Sequence, residues 1–216
     1  GSNRGYEWAY AARNSIFIAV FATLIATTLG TLAAVGLSRP QMPYRKPIMA
    51  LLISPLIVPI IIIAAGMFFF YSHIGLAYTH LGVILAHAVM GTPYVVITVT
   101  ATLIGFDETL IRASGSLGAK PLRTFFRVIM PLITPGVISG ALFAFITSFD
   151  EVVLIYFLAD AEQKTIPIQM WSGLRQQISP SILAVATMLV TFSVILLIAV
   201  ELLRRRSERL RTQVIS

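Results

Sequence analysis

An all-α, polytopic transmembrane helical bundle is the fold class this sequence predicts, on three observations. The chain is 57% hydrophobic and only 12% charged, with a mean hydropathy of +0.87, where soluble domains carry about 25% charged residues. No Asp, Glu, Lys or Arg occurs between Lys46 and Asp107. Apolar stretches recur at the length that crosses a bilayer, about 20 residues. The 216 residues are read as one transmembrane domain. A net charge of +7 would point to nucleic acid in a soluble protein. In an apolar chain its distribution matters more, and no nucleic-acid partner is expected. With no Cys, disulfides, thiolate nucleophiles and thiolate metal sites are excluded.

The first span is expected over 15–37, uncharged throughout, with Gly30, Ala33, Ala34 and Gly36 as small surfaces for close helix contact. The second is expected over 48–71, kinked by Pro55 and Pro59, which a membrane helix tolerates where neighbours satisfy the freed carbonyls. Residues 72–80 make a short connection. The third runs over 81–104, kinked near Gly91-Thr92-Pro93. The fourth is expected over 133–158, with the GxxxG of Gly136 and Gly140, continued by Ala144, as a packing stripe. The segment 159–180 is too polar to span, and the fifth span is expected over 181–203. The opening GSNRGYEWAYAARN is a poor insertion signal, so an upstream first span is expected to be missing from this chain.

Between the third and fourth spans lies the one long polar interruption, 106–134. Asp107 suits a helix N-cap, and Glu108 the positive end of the helix dipole. Gly118 suits the left-handed residue that closes such a helix. Pro121 suits the first turn of a second helix. There Leu122, Phe125, Phe126 and Ile129 fall at i, i+3, i+4 and i+7 as one apolar face, while Arg123 and Arg127 share another. Pro131 and Pro135 are expected to end the unit. A solvated amphipathic loop on the lipid surface is one reading; a docking corner for a soluble partner is the other.

Charge asymmetry sets the orientation. The 39–46 loop, the 106–134 loop and the C-terminal tail hold twelve Lys/Arg, and the opposite side holds four. The polar corner and the C-terminus are therefore expected in the cytoplasm.

No phosphate-binding loop, HExxH or GxSxG is present, so an enzyme is not expected and any energy source must come from another polypeptide. His73, His80 and His87 form no ligand cluster with carboxylates, and no metal site is expected. His87, inside a span, reads as a hydrogen-bonded packing residue rather than a proton relay. For solute handling the candidates are Asp150 and Glu151. If the helix continues to Leu158, the pair sits about 10–13 Å below its outer end, and acids at such depth face water or a partner. If it ends near Phe149, the pair caps it at the surface. The expectation carried forward is a cavity lined by at least one carboxylate, whose negative field favours a cation. Phe149, Tyr156, Tyr94 and Trp171 are candidates to cradle an ammonium group; each also reads as an ordinary interfacial anchor.

The 106–134 loop resembles the EAA loop of binding-protein-dependent ABC importer permeases. That pattern is EAA, three residues, Gly, nine residues, then I-x-L-P; here it reads Arg112-Ala113-Ser114, Gly118 and Val128-Ile129-Met130-Pro131. The leading Glu is replaced by Arg112 and the second Ala by Ser114. The resemblance implies the type I ABC importer permease fold in a bacterial inner membrane. It also implies a loop seated in a cytoplasmic ATPase groove, bearing Glu108, Arg112, Ala113, Ser114, Gly118, Pro121, Arg123, Phe125, Phe126, Arg127 and Pro131. Two ATPase subunits holding ATP and Mg, a second permease subunit, a periplasmic binding protein and surrounding lipid are the implied partners, with no cofactor in this chain. SFDEVVLIYFLA and TIPIQMWSGLRQQISPSILAVAT are similar to spermidine/putrescine-type permeases, implying a polyamine cargo. Other cargoes (4-aminobutyrate, opines, ferric iron) and an ion-coupled carrier acting alone are the alternatives.

Overall fold

The structure is a computed structural model that describes residues 2–39, 42–107, 109–176 and 180–215, with side chains described over 6–39, 42–107, 109–172 and 183–202. In chain order the helices are α1 (Ser2–Leu37), α2 (Arg45–Ile53), α3 (Ile60–Ile74), α4 (His80–Leu103), α5 (Thr109–Ser116), α6 (Pro121–Thr124), α7 (Met130–Phe149), α8 (Val153–Leu158), α9 (Ile166–Gln176) and α10 (Pro180–Ile215). A π turn over Phe125–Ile129 joins α6 to α7, and no strand occurs among the described residues.

The core is a three-helix unit of α1, α4 and α7. Small residues decide this, because bilayer lipid is as apolar as leucine and helices gain from close approach instead. A Cβ on Gly140 would sit 2.7 Å from the Val95 Cα, and one on Gly136 2.7 Å from the Thr98 carbonyl oxygen, so the α7 backbone lies against α4. Ala144 meets Gly91 and Gly30 meets Val95 in the same way. Gly36, expected on the same stripe as Gly30, faces open space. His87, fully buried on α4, shares a 2.8 Å hydrogen bond with Ser148 Oγ on α7. That is a packing role for Nδ1, which is paired where water is absent, while Nε2 is buried with no hydrogen-bond partner among the described residues.

Among the described residues, four helices are long and apolar enough to cross a membrane: Tyr6–Leu37, His80–Leu103, Pro121–Phe149 and Leu183–Leu202. A fifth crossing is possible by length only if Arg45–Leu56 and Ile60–Ile74 count together, and these meet at 100°. The expected kink in the second span is therefore a break. Pro55 sits in a 3₁₀ turn over Ser54–Leu56, and Pro59 takes φ −53°, ψ 128° ahead of α3. The ladder stops at Pro59, whose ψ of 128° lies outside the helical region, and starts afresh at Ile60.

Two further expectations change. The fourth span does not reach Leu158: α7 stops at Phe149, and Asp150 is its C-cap with φ −93°, ψ 0°. Pro131 and Pro135 do not end the polar corner. They lie inside a helical run from Pro121 to Phe149, Pro131 in the first turn of α7 and Pro135 in its interior. The π turn immediately before them, with Met130 N–H donating to the Phe125 carbonyl, is the local adjustment that keeps the run helical past residues lacking donors.

Hydrogen bonds gather one set of loops at one end. Tyr10 hydroxyl and Asn14 Nδ2 donate to the Glu162 carbonyl at 3.1 and 2.7 Å, and Asn14 reaches Lys164 as well. Ile166 N–H donates to Ser15 Oγ, and Tyr78 N–H to the Leu158 carbonyl. These polar partners explain why α1 extends N-terminally of the expected span. Arg39, Phe106 and Arg112 meet around one cavity at the other end.

Candidate functional site: a helical corner and an acidic helix break

The corner is built from local signals. Asp107 Oδ1 accepts the Thr109 N–H at 2.8 Å, opening α5; hydrogen bonds from Thr109, through its side chain and then its backbone, hold the Asp107 carboxyl below the usual carboxylate range. Gly118 closes α5 at φ +76°. Its N–H donates to the Gly115 carbonyl and Ala119 N–H to the Ser114 carbonyl, the paired bonds of a Schellman end. Pro121 opens α6. Glu108 lies outside the described residues.

Two contacts that sequence reasoning missed hold the corner. Ser114 and Thr124 share a 2.7 Å hydrogen bond between hydroxyls, tying α5 to α6. Phe125 and Ile129 turn inward onto the α1–α4–α7 core, whereas Leu122 and Phe126 stay 71% and 59% exposed. The single apolar face expected from i, i+3, i+4, i+7 spacing is thus split: the π turn shifts the angle between successive side chains away from 100°. Ala113, Arg123, Arg127 and Pro131 are also exposed.

Between the corner and the ends of α1 and α4 lies a cavity of about 510 Å³. Ser38 and Arg39 line it from the turn after α1, Phe106 from the loop after α4, Arg112 and Gly115 from α5, and Pro121 and Thr124 from α6. No sequence signal pairs Arg39 with Arg112, which are 73 positions apart.

At the opposite end of the Pro121–Phe149 run sits the acidic pair. Asp150 is exposed; with Phe149 it lines a mainly apolar cavity of about 290 Å³ against α10. Glu151 faces another task. Its Oε1 accepts the Val153 and Leu154 N–H groups at 2.6 and 3.1 Å, capping α8. Burial pushes the Glu151 carboxyl above the usual range, and these amide donors pull it back. The expected pair at depth inside one continuous helix is corrected to two carboxylates in a helix break, one open and one engaged, with the Glu151 carboxylate satisfying amide donors that the start of α8 leaves free.

The expected aromatic cradle is dispersed. Phe149 stacks on Phe145 at 5.7 Å and meets Phe192 of α10. Tyr94 stacks on Phe143, and Tyr156 lies 61% exposed beside Phe157. Of the six candidates, Phe149 and Asp150 share a cavity; Glu151, Tyr94, Tyr156 and Trp171 do not line it.

Comparisons with known proteins match this architecture. The spermidine/putrescine transport system permease protein PotC of Haemophilus influenzae is 29% identical over 197 residues, covering 91% of this chain and 77% of that protein. PotC of Escherichia coli is 30% identical, covering 90% and 74%. The E. coli putrescine transport system permease protein PotI is 32% identical, covering 81% and 65%. Among solved structures, a chain of the MetNI methionine ABC transporter in an inward-facing conformation superposes with a TM-score of 0.76 at 17% identity, covering 95% of this chain and 98% of that one. A chain of a bacterial ABC transporter that imports alginate gives 0.69. Residues 11–209 match the family model of the binding-protein-dependent transport system inner membrane component. With the helical corner and the α1–α4–α7 bundle in place, the chain belongs to that family, as a multi-pass ABC transporter permease subunit of the inner membrane.

Proposed function

We propose that this permease subunit imports a small cationic solute of the polyamine class from periplasm to cytoplasm, driven by two cytoplasmic ATPase subunits seated on the 106–134 corner. A second permease subunit completes the pathway, and a periplasmic binding protein delivers the solute. The observation that carries the reading is one helical run, Pro121–Phe149, with the corner at its start and Asp150 immediately after its end. Its 29 residues reach roughly 43 Å at 1.5 Å per residue, so a force on the corner moves the acidic end without an intervening loop.

Asp150 is the group we assign to meet the cation, since its carboxylate is open to an incoming solute and an apolar wall beside it focuses its field. Glu151 sets the backbone that presents it. The permease names of the curated relatives favour spermidine or putrescine. The orientation follows the excess of Lys/Arg on the corner side, with the C-terminus in the cytoplasm.

The test is ATP-driven uptake of labelled spermidine and putrescine by the complete complex in proteoliposomes. Asp150→Asn is expected to lower uptake at least tenfold with the complex still assembled. Wild-type uptake by both Asp150→Asn and Glu151→Gln removes the cation reading, and uptake without ATPase subunits removes the ATP-driven one.

A further inference from the structure

The cavity under the corner has a charge character that narrows what can cover it. Among the described residues its lining includes two guanidinium groups, Arg39 and Arg112, with the hydroxyl-bearing Ser38 and Thr124, and no carboxylate. The outer surface of the corner adds Lys120, Arg123 and Arg127, all exposed. Around this basic ground stand Leu117, Leu122 and Phe126, at 88%, 71% and 59% exposure. Large apolar side chains this open, interleaved with cations, mark a surface that something covers.

Lipid is the poorer occupant. The Pro121–Phe149 run has 29 residues, so it exceeds a hydrocarbon core of about 30 Å by roughly 10 Å. With Phe149 at the far interface, α6 and the π turn stand beyond the core, in reach of a soluble partner. Resting on the reading that an ATPase docks here, we infer that the ATPase groove presents apolar walls to Leu117, Leu122 and Phe126 and at least one carboxylate to Arg112 and Arg39. Among the described residues the corner sets Arg39, Arg112, Lys120, Arg123 and Arg127 against one exposed carboxylate, Asp107; like charge across a docked interface costs heavily, and such an excess selects a partner of the opposite sign. Arg112 stands where the EAA-type pattern carries a Glu, so an ATPase built for that Glu meets the opposite charge here. The corner is thereby selective for an ATPase with an acidic groove.

The experiment uses the permease complex with its own ATPase subunits, measuring co-purified ATPase at 50 and 300 mM NaCl. Arg112→Glu is expected to reduce recovery at least tenfold at low salt, Arg112→Lys to keep it within about twofold, and high salt to weaken the wild type. Arg39→Glu, in the bend just after α1, carries the same expectation if Arg112→Glu fails to fold. Wild-type recovery with Arg112→Glu or Arg39→Glu, alongside loss with Phe126→Asp, overturns the acidic groove and leaves docking intact. Wild-type recovery with all three overturns both. Recovery that follows the anionic lipid content of nanodiscs, whatever stands at 112, assigns the cavity to lipid headgroups and overturns the proposal.

Discussion

Ser114 Oγ lies 2.7 Å from Thr124 Oγ1, a bond across the corner between two helices ten residues apart. It joins α5, whose last turn ends in the Schellman bonds, to α6, which continues into the membrane. The corner is therefore closed by a side-chain bond as well as by its backbone.

Removing either hydroxyl should loosen the corner. Ser114→Ala and Thr124→Val are each expected to cost about 0.5–1.5 kcal/mol, the net worth of one hydrogen bond. The double variant should cost little more than the worse single one. Thermal unfolding of all three in detergent checks this; losses that simply add would mean the hydroxyls act independently.

Gly118 tests the backbone rather than the packing. Nothing lies within 4 Å of a Cβ built there, so only its φ of +76° opposes a side chain. Gly118→Ala is expected to cost about 1–2 kcal/mol, and Gly118→Asn distinctly less. ATPase-coupled uptake should fall in the same order, Ala below Asn.

The α4–α7 contact predicts the opposite kind of sensitivity. Gly140→Ala and Gly136→Ala drive a methyl into Val95 and the Thr98 carbonyl, and overpacking of this kind costs about 1–3 kcal/mol. Gly66→Ala on α3 meets nothing within 4 Å and should be neutral or better. Equal stability of the three alanine variants would contradict the packing.

Glu151 and Asp150 should separate in experiment. Glu151→Ala removes the acceptor for two amides at the start of α8, with an expected cost of about 1–2 kcal/mol; Glu151→Gln keeps an acceptor and should lose less. Asp150→Asn, exposed at the cavity mouth, should leave the melting temperature unchanged while lowering uptake.

What the amino-acid order determined by itself was everything carried by short-range chemistry. Apolar run lengths announced long helices near 15–37, 81–104 and 181–203, because a bilayer imposes a fixed length, whereas the segments expected over 48–71 and 133–158 are interrupted. Asp107, Gly118 and Pro121 marked the corner, because capping, left-handed backbone and a missing amide act within a few residues. The small stripe of Gly136, Gly140 and Ala144 announced a close helix contact. Tertiary structure alone decided which surfaces met. That α7 stops at Phe149 depends on Glu151 finding the α8 amides and on Leu158 accepting from Tyr78, 80 positions earlier. That Phe125 turns inward while Leu122 turns out depends on a π turn, which no 3.6-residue pattern contains. That Arg39 and Arg112 line one cavity follows only when the ends of α1 and α4 converge with α5. Electrostatic neighbours across such separations are fixed by packing, and packing between helices is a property of the assembled surface rather than of any one segment.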